Sequence, residues 1–281
     1  MKIGSYIRQL KDSYTHSESK AVRIIYLVLH ILVMLTAIRC LLRQNYENFA
    51  LCILVLFLFL APAFLADKLD LTIPPLFQII IFLFIFAAEI LGEVNHYYVR
   101  IPGWDTILHT MNGFLCAAIG FSLVYLLNRG SKNVKLSPFY LTLVAFCFSM
   151  TIGVIWEFFE FTMDQLFLLD MQKDFIVTQI GSVTLDPKQA QNVIRIKDIV
   201  QTVITTASGE TVTIKGGYLD IGIIDSMKDL LVNLVGAVVF SVIGYITLKK
   251  SKSNKVTDNF MIKPKEHAET DETDNEGNGM K

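Results

Sequence analysis

The chain has 281 residues, 53% of them hydrophobic, and a net charge of −1, with a mean hydropathy of +0.48. So apolar a composition points to a polytopic protein embedded in a lipid bilayer and excludes an ordinary soluble domain. The near-zero charge excludes a global basic field, and with it a nucleic-acid partner.

Residues 1–23 form a cytoplasmic leader. Met1 to Lys20 is too polar for the core of a signal peptide. Ile3, Tyr6, Ile7, Leu10 and Tyr14 recur at helical spacing among Lys2, Arg8 and Lys11. That pattern predicts a short amphipathic helix on the membrane surface, with a loosely ordered basic leader as the alternative.

Residues 24–248 hold six apolar segments, at 24–42, 49–66, 76–95, 105–127, 139–165 and 226–248. Each is long enough to cross ~30 Å of hydrocarbon at ~1.5 Å per residue. The four cysteines, Cys40, Cys52, Cys116 and Cys147, fall inside these runs. They read as small core hydrophobes and not as a disulfide framework.

Between the fifth and sixth segments lies a long insert, 170–224. Val200–Thr206 and Thr211–Lys215 flank Ala207-Ser208-Gly209-Glu210, a hairpin signature. The tail 249–281 is polar and late-acidic and is expected to be disordered. The predicted fold is an all-α integral membrane helical bundle of six transmembrane helices, with a small extracytoplasmic β-rich lobe.

Orientation follows from basic residues beside the spans. Lys2, Arg8, Lys11, Lys20 and Arg23, then Lys68, then Arg129, Lys132 and Lys135, then Lys249, Lys250, Lys252 and Lys255 fall on one side. The other side has only Arg39, Arg43 and Arg100 in its short connections, which places both termini in the cytoplasm and loop 170–224 outside.

Four spans carry acids and imidazoles bunched toward one end: Glu89, Glu93 and His96; Asp105 and His109; Glu157, Glu160 and Asp164; Asp225, Asp229 and Asn233. Ionisable groups inside a bilayer are costly and mark functional sites by default. Counting residues gives their depth. Glu89, Glu93 and His96 lie ~20, ~25 and ~30 Å above the inner end of span three, and Glu157 and Glu160 ~27 and ~31 Å above that of span five. His109 and Asp229 lie ~6 Å below the outer ends of spans four and six, and Asn233 ~12 Å below. All four sets therefore fall in the outer part of the membrane. Steps of three, four and seven put each set on one helical face, so the faces can line one polar cavity open to the outside.

So many carboxylates cannot stay ionised together unpaired. A divalent metal ion, retained protons or penetrating water must compensate them. Carboxylate with imidazole suits zinc, manganese or iron, and carboxylate alone suits magnesium or calcium. The expected ligands are His109, Glu157, Glu160 and Asp229. Asp105 or Glu93 is placed as base, with Glu89, Asn233 and Asp225 in support.

Plainer roles stand beside these. Asp105 can cap span four. Asp225 can cap span six, with Ser226 and Asp229 as a capping box. His96 and Asp164 read as solvated, Asn233 as an interhelical hydrogen-bond group, Lys228 as a local counter-ion, and Trp104 and Trp156 as interfacial aromatics. H-E-x-x-H and G-x-S-x-G are absent.

Trp104-Asp105-x-x-x-His109-x-x-x-Gly113, Trp156-Glu157-x-x-Glu160 and Asp225-x-x-x-Asp229-x-x-x-Asn233-x-x-Gly236-Ala237 resemble the YjdF-like family of bacterial polytopic membrane proteins over roughly residues 76–248. A more distant likeness is to the VanZ-like pattern, which implies a link to the cell envelope. That pattern carries over to Asp105, His109, Glu157 or Glu160, Asp229 and Asn233. YjdF-like chains have a short loop before the last span, whereas here the loop is long and β-rich.

Three readings follow. One is an outward-facing, metal-dependent membrane enzyme acting on a lipid or cell-envelope precursor. The second is a proton- or cation-coupled transporter, which the apolar inner halves of spans four and five disfavour. The third is a non-catalytic envelope or partner-binding protein that uses the β-rich lobe.

Overall fold

A computed structural model describes residues 19–130, 135–250 and 255–265; most of the expected leader lies outside them. Six helical stretches are long and apolar enough to cross a membrane: Lys20–Leu42, Tyr46–Lys68, Pro75–Val94, Trp104–Arg129, Pro138–Phe167 and Ile223–Lys250. These are the six segments expected from hydropathy; the third is shifted by one residue and the others are extended by one to four residues at one or both ends.

Span one is helix α1 (Lys20–Leu42). Span two is α2 (Tyr46–Leu58) followed by α3 (Ala61–Lys68). Pro62 sits in the first turn of α3, where a ring without an N–H is tolerated but an unbroken helix is not. Strand β1 (Leu71–Thr72) leads into span three.

Span three begins as α4 (Pro75–Ile85) and widens into a π-helical segment, Phe86–Val94. The wide pitch is visible where the Asn95 N–H reaches back five residues to the Ile90 carbonyl, at 3.1 Å. π-Helical turns are uncommon and frequently mark functional sites. This one carries Glu89 and Glu93. The helix then stops, with His96 left-handed at φ 60° and exposed. A short helix α5 (Tyr97–Arg100) follows.

Span four is α6 (Trp104–Gly130), span five α7 (Pro138–Phe167) and span six α8 (Ile223–Lys250). Helix α7 is capped by Ser137, whose Oγ accepts the Tyr140 N–H at 3.3 Å, with proline at its first position.

The bundle has two cores. Val33, Cys52, Val55, Phe59 and Phe82 close the first, among spans one to three. Phe77, Phe121, Ala145, Ala237 and Phe240 close the second, among spans four to six and the start of span three. Arg39 Nη2 donates to Asn95 Oδ1 at 2.9 Å, tying the ends of spans one and three. All four cysteines are free thiols.

The insert forms antiparallel ladders. Strands β2 (Ile176–Val177) and β7 (Tyr218–Leu219) pair as a neck. Beyond it, β3 (Ile180–Ser182) pairs with β4 (Ile194–Ile196). The expected hairpin is β5 (Gln201–Thr205) with β6 (Thr211–Lys215). Gly217 is required at the neck, where a Cβ would fall on the Val177 carbonyl oxygen.

The tail departs from the expectation of disorder. Residues 255–265 form helix α9 (Lys255–Phe260) and strand β8 (Lys263–Pro264), which pairs with β1. The reason is two apolar side chains in a polar stretch. Phe260 packs among Phe77, Phe114 and Phe240, at ring separations of 5.4, 5.1 and 6.5 Å. Ile262 is buried, and its N–H donates to Ser122 Oγ at 3.0 Å. Averaging charge over the whole tail hides this short apolar plug.

Removing the Phe260 ring opens a cavity in a packed aromatic group, which costs ~3–5 kcal/mol for a buried Phe→Ala change. Phe260→Ala is expected to lower the melting temperature in detergent and expose 255–265 to protease. A lipid-facing control, Phe139→Ala, should leave both nearly unchanged.

In the lobe, Asp186 accepts N–H bonds from Lys188, Ala190 and Asn192 at 3.0, 2.9 and 3.1 Å. These bonds, led by that from Lys188, hold its carboxyl below the ordinary carboxylate range. A depressed acid stabilises the fold above its unfolded value and loses that contribution as pH falls through the folded one. Hydrogen exchange at residues 188–192 of the full chain should therefore be protected at neutral pH. That protection should be lost below the ordinary carboxylate range, and at all pH values in Asp186→Ala.

Candidate functional site

Helices α6 and α8 cross in the same direction, since α7 returns between them. They meet backbone to backbone. A Cβ at Gly113 would fall on the Asn233 carbonyl oxygen, and one at Gly236 on that of Thr110. Small residues that let backbones touch are the usual means of packing helices in lipid. Gly113 lies four residues beyond His109, and Asn233 four beyond Asp229. The glycine contact thus sets His109 level with Asp229 one turn above.

One ligand atom each from Asp105, His109 and Asp229 lies within 4.8 Å of the others. His109 Nε2 stands 3.4 Å from Asp105 Oδ1, and its Nδ1 stands 3.9 Å from Glu157 Oε1. Asp229 is 1% exposed, and its Oδ1 has no hydrogen-bond partner among the described residues. Both Glu157 oxygens are likewise buried without a hydrogen bond. Such groups demand a compensating charge or proton.

The expected ligand set was His109, Glu157, Glu160 and Asp229. The geometry instead joins Asp105 to His109 and Asp229. Glu157 lies behind the ring of His109. Glu160 is engaged elsewhere, accepting from Trp156 Nε1 at 2.9 Å.

The group opens on a cavity of about 660 Å³ between the two halves of the bundle. Glu89, Glu93, Asp105, His109, Glu160, Asp225 and Asp229 line it, so all four polar sets contribute. His96 and Asp164 do not. Asn233 lies below the cavity as an interhelical link. Its Oδ1 accepts from Asn112 Nδ2 at 3.1 Å, and Gly153 leaves room for its amide.

Asp225 does not cap span six. Helix α8 starts earlier, and Asp220 takes the Ile224 N–H at 2.8 Å. Asp225 is thereby free to accept the Lys173 N–H at 2.8 Å. Asp164 accepts the Met171 and Gln172 N–H groups at 2.7 and 2.9 Å, and Asp220 that of Phe175 at 2.6 Å. Gln172 also donates to Ser226. Three acids therefore pin 171–175 across the cavity, which adds Met171, Lys173 and Phe175 to its wall.

Those loop residues were missed in the sequence. The signal was acids on both flanks of the insert, Asp164 before it and Asp220 and Asp225 after it. Trp104 was also understated: its Nε1 donates to the Ala87 carbonyl at 3.3 Å and it lines the cavity. Tyr98 joins it because Gly92 has no side chain to displace its ring. Burial, with Asp105 next in effect, pushes the Tyr98 phenol well above its ordinary range, so it remains a neutral donor.

A family described as predicted membrane proteins, DUF2238, matches residues 21–250. The chain belongs to that family. The match is consistent with the YjdF-like resemblance, and the VanZ-like likeness gains no support from it. No curated protein and no solved structure matches the chain. This DUF2238 protein is thus a multi-pass membrane protein of six apolar helices.

A side chain at Gly113 or Gly236 has to push α6 and α8 apart, and overpacking of this kind costs ~1–3 kcal/mol. Gly113→Ala and Gly236→Ala are each expected to lower the melting temperature. Gly103→Ala, at a position where a Cβ meets open space, should disturb α6–α8 packing less, its effect coming only from its positive φ.

Proposed function

We propose that this protein is a membrane enzyme whose cavity faces the extracytoplasmic side and holds a divalent metal ion on Asp105, His109 and Asp229. It acts on a lipid or cell-envelope precursor. The observation that carries this reading is the convergence of those three side chains within 4.8 Å. The unpartnered Asp229 Oδ1 supports it.

A carboxylate–imidazole–carboxylate set suits zinc, manganese or iron by ligand type. Such an ion supplies an activated water or polarises a phosphoryl or carbonyl oxygen. Glu157 stands 3.9 Å from His109 Nδ1, on the side of the ring where a carboxylate commonly supports a ligand histidine. With Asp105 in the ligand group, Glu93 on the cavity wall is the candidate base. The outward orientation rests on the basic residues beside spans one, two, four, five and six.

A transport reading needs a polar path to the other end. Phe77, Phe114, Phe121, Phe240 and Phe260 fill that end. The hydroxyls of Ser122, Thr142 and Ser149 are engaged with backbone carbonyls. These observations favour chemistry within the cavity over passage through it.

Metal analysis of the purified, unchelated chain is the test. The expected result is stoichiometric metal in the wild type, lost in His109→Ala and Asp229→Asn and retained in Asp164→Asn. A membrane-impermeant chelator should strip the ion from right-side-out vesicles. A metal-free wild type, or unchanged occupancy in both variants, overturns the proposal.

A further inference from the structure

The cavity has an apolar side that catalysis by carboxylates does not explain. Leu51, Leu54 and Leu58 of α2 form one wall, and Trp156 and Phe159 of α7 stand at another. Leu54, Trp156 and Phe159 are also 49%, 40% and 45% exposed, and Trp156 and Phe159 line a second hollow with Ile152 and Ile155. Helices α2 and α7 make no extended contact with each other. Residues that line a cavity and also face outward mark the edges of a gap, and at membrane depth that gap opens on lipid.

The second observation is charge. Lys173 and Lys228 line the same cavity. Lys228 lies between Asp225 and Asp229 in sequence, yet it makes no ion pair among the described residues. Its ammonium stands 5.7 Å from the centre of the Phe175 ring. An ammonium held over an aromatic face, with its N–H groups uncommitted, is available to an anion.

We infer that the ligand of this cavity is a phosphate-bearing lipid. Its phosphate sits on Lys228, and its chain leaves sideways over Leu51, Leu54 and Leu58; Lys173, already paired with Asp170 at 3.6 Å, adds positive charge to the cavity wall. A volume of about 660 Å³ takes a headgroup and the first few carbons but not a whole lipid, so the chain must leave through the gap. The inference rests on the metal reading in one respect: a cation on Asp105, His109 and Asp229 offsets carboxylates that would otherwise repel a phosphate.

Binding to the purified wild-type chain is compared for dioleoyl phosphatidic acid, dioleoylglycerol and glycerol 3-phosphate, read by native mass spectrometry. Phosphatidic acid should bind selectively. Dioleoylglycerol lacks the phosphate and glycerol 3-phosphate lacks the chains, so both should bind at least tenfold more weakly. Lys228→Gln should weaken phosphatidic acid about tenfold, and Lys228→Arg should restore it. Leu54→Trp should weaken phosphatidic acid but not glycerol 3-phosphate. Melting temperature confirms that each variant folds.

Equal binding of phosphatidic acid and dioleoylglycerol overturns the inference, as does a Lys228→Gln chain that binds like the wild type. Glycerol 3-phosphate binding as tightly as phosphatidic acid assigns the site to a soluble phosphate and also overturns it. Metal content measured on the same samples separates the two proposals. Selective, Lys228-dependent binding without metal sinks only the metal centre. Metal without lipid selectivity sinks only the lipid assignment.

Discussion

The site depends on the backbone contact between α6 and α8. Two glycines, Gly113 and Gly236, let the helices approach until side chains would collide with carbonyl oxygens. In lipid no hydrophobic force drives helices together, so such close packing and the hydrogen bonds it permits must supply the association. Asn112 to Asn233 is the bond it permits, and Ser149 Oγ of α7 adds a bond to the Gly113 carbonyl at 2.7 Å. Because both helices repeat their polar residues every fourth position, fixing one level fixes the next. His109 meets Asp229 because Gly113 meets Asn233.

The remaining polar groups are arranged around that contact according to what each must satisfy. Acids near the ends of spans five and six find backbone N–H groups in the insert. The loop is thereby held over the cavity instead of swinging free. Glu160 has an indole N–H. Asp229 and Glu157 have no such partner, and they lie nearest to His109. The buried carboxylate oxygens without a hydrogen-bond partner among the described residues, both of Glu157 and Oδ1 of Asp229, are grouped about the imidazole, which is where a cation would be most useful.

The six spans were legible because hydropathy over twenty residues is a strong signal, and the shared level of the polar groups followed from counting at a fixed rise per residue. The β5–β6 hairpin was legible from its turn. What could not be read is what depends on side chains meeting across distant segments. Asp105 read as a base, or as a cap because it opens a helix, and only the position of α8 reveals it beside Asp229. Asp225 looked like a cap because Asp220, the residue that does the capping, lies just outside the apolar run. The π-helical segment of span three leaves no mark in composition. Phe260 and Ile262 were hidden by the charge of their neighbours.

The docking of Phe260 and Ile262 has a consequence for the order in which this protein can be completed. Their receptor is built from residues of spans three, four and six, and the partner of β8 lies far back at Leu71–Thr72. A ribosome delivers residues 255–265 after every span has emerged. The aromatic core around Phe240 therefore stays open until synthesis has passed the last helix. A chain cut short after Lys250 would have all six spans and still lack the packing element at 255–265, so the aromatic core around Phe240 reports on whether that segment has been made.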